Sequence, residues 1–211
     1  MIKIIRNSKF VISARTTVQS GRRNCQAGMT YIELIVVLGI WAVMSSIVMF
    51  NYQEFQAKVD IKSLASDIAL KIVEAQKSAL SGKWTSGAAD DWKPSYGVYF
   101  DSSTGNDTTD NNIPFNKKFI YFANLDFNTN NSYDSTIDST DKITITKNNF
   151  IENLKCSGAP INNLSIVFRR PDSKALMPCS GDVEIIVSSP AGANLATAKI
   201  TVSPSGRIQV N

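Results

Sequence analysis

The sequence has no histidine among its 211 residues. Histidine is the commonest general base in enzymes and the commonest protein ligand of transition metals. The aspartates are scattered along the chain and form no nucleophile–base set with any other residue type. We therefore do not expect an enzyme, and a membrane-anchored hydrolase is the reading that the composition disfavours most.

Cysteine is also scarce, with only Cys25, Cys156 and Cys179 in the chain. Their spacing matches neither a Cys-x-x-Cys motif nor a zinc site. Cys156 and Cys179 can form one disulfide if they lie outside the cytoplasm, and the alternative is a pair of buried free thiols. A disulfide-rich scaffold is excluded.

The net positive charge comes from the start of the chain. The formal net charge is +4, but residues 1–28 carry six cations and no acid, whereas the remainder has 16 basic and 18 acidic residues. The six cations are Lys3, Arg6, Lys9, Arg15, Arg22 and Arg23. The whole chain has 43% hydrophobic residues, a composition that folds, and its length fits one ordinary domain with an extension.

A long apolar segment follows this basic region. Leu34–Gln53 contains 20 consecutive residues without a charge, which is enough to cross a bilayer as a helix. The sequence after Phe50 has no signal-peptidase site, so we expect the segment to stay in the mature protein. The preceding cations predict that residues 1–28 face the cytoplasm and that the carboxy-terminal part lies outside.

Glu33 immediately precedes the uncharged run. A carboxylate within a bilayer costs a few kcal/mol and usually has a partner. One interpretation is that Glu33 marks the membrane boundary. The other interpretation, that it has a specific partner, comes from the residues around it.

The run QAG followed by MTYIELIVVLGIWAVMSSIV resembles the processing site of type IV prepilins and type II secretion pseudopilins. Gly28 matches the residue before the cut, Met29 the first mature residue, Thr30 the second and Glu33 the fifth. The resemblance implies a cleaved leader, residues 1–28, and a prepilin peptidase that cuts after Gly28 and methylates the α-amine of Met29.

The same resemblance implies that Glu33 pairs with the amino terminus of a neighbouring subunit during assembly. The chain would then be a structural subunit, a minor pilin or pseudopilin, of a type IV pilus-like or type II secretion filament. It would lie in the cytoplasmic membrane as a single-pass protein before it joins an extracytoplasmic filament. Its partners would be the peptidase and other pilin or pseudopilin subunits.

The predicted fold class is α+β, with a long amino-terminal helix packed on an antiparallel β-sheet or sandwich, as in pilins. We expect residues 29–53 to form the membrane-spanning and assembly half of this helix, and residues 54–82 its amphipathic half, ending at Gly82. Apolar residues recur there mostly at three- and four-residue steps: Phe55, Ile61, Leu64, Ile68, Ile72 and Ala75 or Ala79.

Residues 83–211 are predicted to form an extracytoplasmic β-rich domain, because short β-type runs alternate with turn residues. The predicted strands are Tyr96–Phe100, Phe119–Asn124, Lys142–Thr146, Leu164–Arg170, Val183–Ser189, Ala198–Ser203 and Arg207–Val210. The runs YGVYFD and ITVSPSGRIQV resemble H-type minor pseudopilins and related minor pilins.

One loop has oxygen-bearing side chains at alternate positions, as calcium-binding loops do. These are Asp126, Asn128, Asn130 and Asp134. An Asn- and Asp-rich turn without metal is the competing interpretation, since these residues favour turns by themselves. Calcium is the only cofactor that the sequence suggests.

A filament-tip binding module, either an adhesin or a DNA-uptake minor pilin, is the alternative function. Arg169, Arg170, Lys174 and Arg207 could supply a small basic patch. DNA binding needs several phosphate contacts, and the chain after residue 28 is net acidic. A solvated surface is therefore the simpler interpretation, and nucleic acid is not an expected partner.

Overall fold

The structure, a computed structural model, describes residues 29–88, 93–108, 110–125, 132–136, 138–190 and 196–211. The chain divides into two units, Met1–Met44 and Ser45–Asn211. Helix α1, Tyr31–Ser81, begins in the first unit and continues into the second. The other elements that the structure describes in the second unit are antiparallel strands and one 3-10 turn, so the fold class is α+β, as predicted.

Within the described residues, the strands form two five-stranded antiparallel sheets and one short hairpin. The first sheet has the order β5-β4-β1-β8-β9, the second has the order β12-β11-β10-β6-β7, and β2 pairs with β3. The bounds are β1 Ser95–Asp101, β2 Asn106–Asp107, β3 Ile113–Pro114, β4 Lys118–Asn124, β5 Ser139–Thr144, β6 Phe150–Cys156, β7 Ala159–Ile161, β8 Asn163–Phe168, β9 Ala175–Leu176, β10 Val183–Ser189, β11 Ala196–Val202 and β12 Ile208–Val210. A single 3-10 turn, Phe115–Lys117, precedes β4 among the described residues.

The seven predicted strands correspond to β1, β4, β5, β8, β10, β11 and β12. The β11–β12 hairpin closes through the predicted turn, because Gly206 donates its N–H to the carbonyl of Ser203 at 2.8 Å. Strand β6 was not predicted. Its pairing with β10 shifts register between Ile186 and Val187, and the bulge separates the inward-facing Ile151 and Leu154 by three positions instead of two.

Helix α1 ends where Gly82 predicts. Gly82 has a φ of 61°, and its N–H bonds to the carbonyl of Ala79 while that of Lys83 bonds to Ser78, both at 3.1 Å. These two bonds form a Schellman cap, which needs a left-handed residue that glycine adopts without strain.

The second half of α1 buries one stripe in the core of the domain. The buried positions recur at steps of three and four residues: Ala57, Ile61, Ala65, Ile68, Ile72, Ala75 and Ala79. They join one hydrophobic cluster with the inward faces of both sheets. Phe55 was predicted to belong to the stripe, and this was wrong: its side chain is 64% exposed, because the stripe runs through Ala57 instead.

Polar contacts fix this half of the helix on the sheets. Tyr96 of β1 donates its hydroxyl to the carbonyl of Lys83 at 2.7 Å, and Tyr121 of β4 donates to Ser78 Oγ at 3.0 Å. Gln76 donates its side-chain amide to the carbonyls of Ser173 and Gly206. The end of α1 therefore holds the β8–β9 loop and the β11–β12 turn together.

Candidate assembly site

The first turn of α1 contains two of the residues that the resemblance singles out. The backbone N–H of Glu33 donates to Thr30 Oγ1 at 3.3 Å, and Leu34 N donates to the carbonyl of Thr30 at 3.1 Å. Thr30 is therefore the N-cap and Glu33 occupies the third helical position. A threonine cap with glutamate at this spacing is the capping-box pattern. The sequence analysis missed this capping role, although the Thr-x-x-Glu pattern is present in the sequence.

Glu33 thus has a local structural role in addition to the assembly role that the resemblance implies. A carboxylate in the first turn interacts favourably with the helix dipole, typically by about 0.3–1 kcal/mol at an exposed position. Glu33 is exposed. Any test of its role in assembly must therefore separate its charge from its capping geometry.

The large apolar side chains that follow Glu33 are exposed in this chain. Every large apolar side chain from Tyr31 to Met49 is at least 44% exposed, the lowest value being that of Leu34. Within the part of the chain that the structure describes, α1 is the one helix long and apolar enough to cross a membrane.

The predicted cleavage junction lies at the edge of the described residues. Gly28 is outside them, as is the rest of the predicted leader, residues 1–28, which includes Cys25. Met29 is the first described residue, and its side chain is 61% exposed. Cleavage after Gly28 and methylation of Met29 stay predictions.

Only one of the four predicted calcium ligands falls within the described residues. Asp126, Asn128 and Asn130 lie outside them. Asp134 Oδ1 accepts bonds from the backbone N–H and the hydroxyl of Thr136 at 2.8 and 2.6 Å, and these bonds lower the pKa of Asp134. Among the residues that can be described, no three Asp, Glu or Cys side chains cluster as a metal site would require.

The two downstream cysteines are joined in the structure. Cys156 ends β6, and Cys179 lies in the segment between β9 and β10; their Cα atoms are 6.0 Å apart. Cys156 is buried in the core, and Cys179 packs against it. The disulfide ties the segment before β10 to the neighbouring strand.

The four cations of the suggested basic patch lie on two adjacent loops. Arg169, Arg170 and Lys174 belong to the β8–β9 loop, and Arg207 follows the β11–β12 turn; all four are exposed. Ala175 donates its N–H to the carbonyl of Pro204 at 3.1 Å, which joins the two loops directly.

A buried ion pair in the β-domain was not predicted. The side chain of Lys118 is 3% exposed, and its Nζ lies 2.5 Å from Asp107 Oδ2 and 3.0 Å from Asp110 Oδ2. The sequence signal for this ion pair was a lysine within an apolar strand, eight residues after Asp110 and eleven after Asp107. The signal was insufficient, because the conformation of the intervening loop is what brings the lysine and the two aspartates together.

Comparisons with known proteins gave no match to a family model, to a curated protein or to a solved structure.

Proposed function

We propose that this chain is a structural subunit of a helical filament, either a minor pilin of a type IV pilus-like fibre or a pseudopilin of a type II secretion system. The observation that carries the proposal is the placement of Glu33, exposed in the first turn of a helix whose following apolar side chains are all exposed. The resemblance of residues 26–48 to prepilin processing sites supports it.

In this proposal the precursor sits in the cytoplasmic membrane through the first half of α1, with the β-domain outside. A prepilin peptidase removes residues 1–28 and methylates Met29. The apolar helix then leaves lipid for a bundle of equivalent helices. Pilin-like packing of α1 with other subunits would cover the apolar side chains that this chain exposes.

Charge explains why Glu33 would matter in such a bundle. A carboxylate enclosed by apolar helices is costly unless it is paired, and the α-amine of Met29 in a neighbouring subunit is a cation at the matching depth. Removing one partner of a buried pair typically costs about 3–5 kcal/mol, because the other charge is left uncompensated. Loss of Glu33 should therefore block incorporation.

Two substitutions separate charge from capping. Glu33→Gln keeps the capping-box spacing, since glutamine also serves at this position, but removes the charge; Glu33→Val removes both. We expect both variants to be processed and inserted in membrane, and both to be absent from filaments. Glu54→Gln, at an exposed glutamate beyond the uncharged run, is the matched control and should assemble normally.

Normal incorporation of Glu33→Gln, with loss only in Glu33→Val, would show that Glu33 acts as a helix cap and that charge pairing is the wrong explanation. Processing is tested separately. On co-expression with a prepilin peptidase, intact-mass and amino-terminal analysis should find a chain that begins with N-methylated Met29. Gly28→Val should accumulate as the full-length precursor, and mature Gly28→Val chains would contradict the assigned junction.

A binding role at a filament tip is the second candidate, and the contact between the β8–β9 loop and the β11–β12 turn favours it. The four exposed cations named above lie on these two loops. They are few for DNA, whose binding strengthens with the number of phosphate contacts. Gel shifts at low and moderate salt decide this candidate: a shift that Arg169→Ala and Arg170→Ala abolish would support it.

A further inference from the structure

The outer face of the first sheet, opposite the hydrophobic core, forms the floor of a cavity of about 790 Å³. Alternate residues of four adjacent strands point into it: Tyr99 of β1, Lys118 and Ile120 of β4, Thr140 of β5 and Ser165 of β8. The neighbouring residues on β1, such as Val98 and Phe100, face the core instead. The volume falls within the roughly 300–1,000 Å³ of small-molecule sites.

Two loops form the walls of this cavity. Phe115 and Asp107 come from the segment between β1 and β4, and Ser132, Tyr133 and Ser135 come from the segment before β5. The aromatic wall is held in place by ring packing. The Tyr133 ring lies 4.9 Å from that of Tyr99 and 5.3 Å from the fully buried Phe122.

Both tyrosines are half-buried, so they present ring surface to the cavity. Burial, and secondarily the charge of Asp101, raise the pKa of Tyr99 to about 12. Its hydroxyl therefore stays protonated at any physiological pH, and it donates a hydrogen bond to Asp101 Oδ2 at 3.4 Å, so the ring rather than the hydroxyl is the surface that Tyr99 offers to a ligand. An aromatic surface of this kind attracts the C–H face of a ring, because the π-face carries partial negative charge.

The charges that line the cavity are balanced. Lys118 and Lys142 are matched by Asp101 and Asp107, and Asp110, which is outside the lining, lies 3.0 Å from Lys118 Nζ and 3.8 Å from Lys142 Nζ. Lys118, the most buried cation, already has two carboxylate partners. A phosphate or other anion would have to displace these carboxylates, and a simple cation would be repelled by the two lysines. The described lining thus favours a neutral ligand.

Several neutral polar groups remain available to such a ligand. Among the described residues, the side chains of Thr140 and Asn163 have no protein hydrogen-bond partner, and both are exposed. Ser165 Oγ accepts a bond from the backbone N–H of Tyr133 at 3.2 Å, and its own hydroxyl proton is not used in that bond. These groups both donate and accept, as the hydroxyls of a sugar do.

We propose that this cavity is a binding site for a neutral carbohydrate, with a sugar ring against Tyr99 and Tyr133 and its hydroxyls bonded to Thr140, Asn163 and Ser165. The site is independent of filament assembly, because it lies entirely within the second unit and uses none of the residues of the first turn of α1.

The test uses the full chain in dodecylphosphocholine micelles, since detergents with sugar headgroups would compete for the site. A printed glycan array with neutral, sialylated and sulfated glycans is probed first. The neutral glycan that binds best is then titrated by NMR. We expect neutral glycans to bind, and we expect added salt to leave their affinity unchanged because no net charge is involved.

Two variants and a matched control locate the binding. Thr140→Val and Asn163→Ala each remove one hydrogen-bonding group and should lower the affinity roughly three- to tenfold. Thr197→Val changes an exposed strand threonine of the second sheet and should bind as the unsubstituted chain does. Circular dichroism checks that all three variants keep the fold.

Three results would overturn the proposal. The first is the absence of binding to every neutral glycan on the array. The second is binding that is restricted to sialylated or sulfated glycans, which would indicate charge recognition. The third is a neutral glycan whose affinity is unaffected by both cavity variants, which would place its site elsewhere.

Discussion

Loss of the Cys156–Cys179 disulfide should measurably destabilise the second unit. The two cysteines are 23 positions apart in sequence. In the chain-entropy model, closing a loop of that size removes about 11 cal/mol/K from the unfolded ensemble, which stabilises the folded state by about 3 kcal/mol at 25 °C. For a protein of this size, such a loss lowers Tm by roughly 6–14 °C.

The assay is thermal unfolding of the full chain in detergent, followed by near-ultraviolet circular dichroism. This signal reports aromatic packing in the β-domain and is insensitive to the helicity of α1. The unsubstituted chain is melted with and without reductant, beside a Cys156→Ser/Cys179→Ser chain. The double variant should melt at the temperature of the reduced chain, and reductant should not change its Tm. Both chains retain Cys25, so any effect of that thiol cancels.

The effect on the native state should be local. Cys156 pairs with Val183 across the β6–β10 ladder, so the strands themselves remain hydrogen-bonded after reduction. The segment 177–182 loses its covalent attachment, and its backbone amides should exchange faster. If labelling shows that the bond is reduced and Tm is nevertheless unchanged, the chain-entropy reasoning is refuted.

Three further outcomes follow from the structure. Gly206→Ala should destabilise the protein by about 1–3 kcal/mol, because the residue has a φ of 85° and an added Cβ would lie 2.1 Å from the carbonyl oxygen of Ser173. Urea unfolding measures this loss of stability, and an unchanged midpoint would contradict the turn geometry. Lys118→Met should cost about 3–5 kcal/mol in the same assay, because Asp107 loses the cation beside it and Asp110 keeps only Lys142, at 3.8 Å. A neutral result would mean that the two carboxylates are hydrated. The contribution of Tyr99 to the free energy of unfolding should be complete below pH 10 and should be lost between pH 10 and about 12. The reason is that the pKa of Tyr99 is raised in the folded state, so the unfolded chain releases that proton first. Tyr99→Phe should make alkaline unfolding curves flatter over this range, and a curve identical to that of the unsubstituted chain would disprove the shift.

Local signals in the sequence predicted the helix and most strands. Gly82 identified the helix end because a left-handed cap requires a residue without Cβ strain. Strand β10 was predicted with its observed bounds, since apolar and polar residues alternate along it. The first turn of α1 also follows a local rule, the capping box. Its two residues, Thr30 and Glu33, are among those on which the resemblance to a processing site rests.

The misses come from non-local geometry. Phe55 has the larger apolar side chain, but the buried stripe runs through Ala57 and Ala65, where small residues let the helix approach the sheets closely. Strand β6 was missed because its bulge interrupts the alternation. The cavity was invisible in the sequence, since its residues come from four strands and two loops and only the strand register aligns them.

The edges of the two sheets have a consequence for handling this protein. The described edge strands β7, β9 and β12 are only two or three residues long, and the longer edge strand β5 carries Asp141 and Lys142. Short or charged edges are poor templates for strand addition by another chain. Concentrated preparations should therefore resist amyloid-like association, and precipitation after detergent removal should instead involve the apolar half of α1. Such precipitates should redissolve when detergent is restored and should not bind thioflavin T.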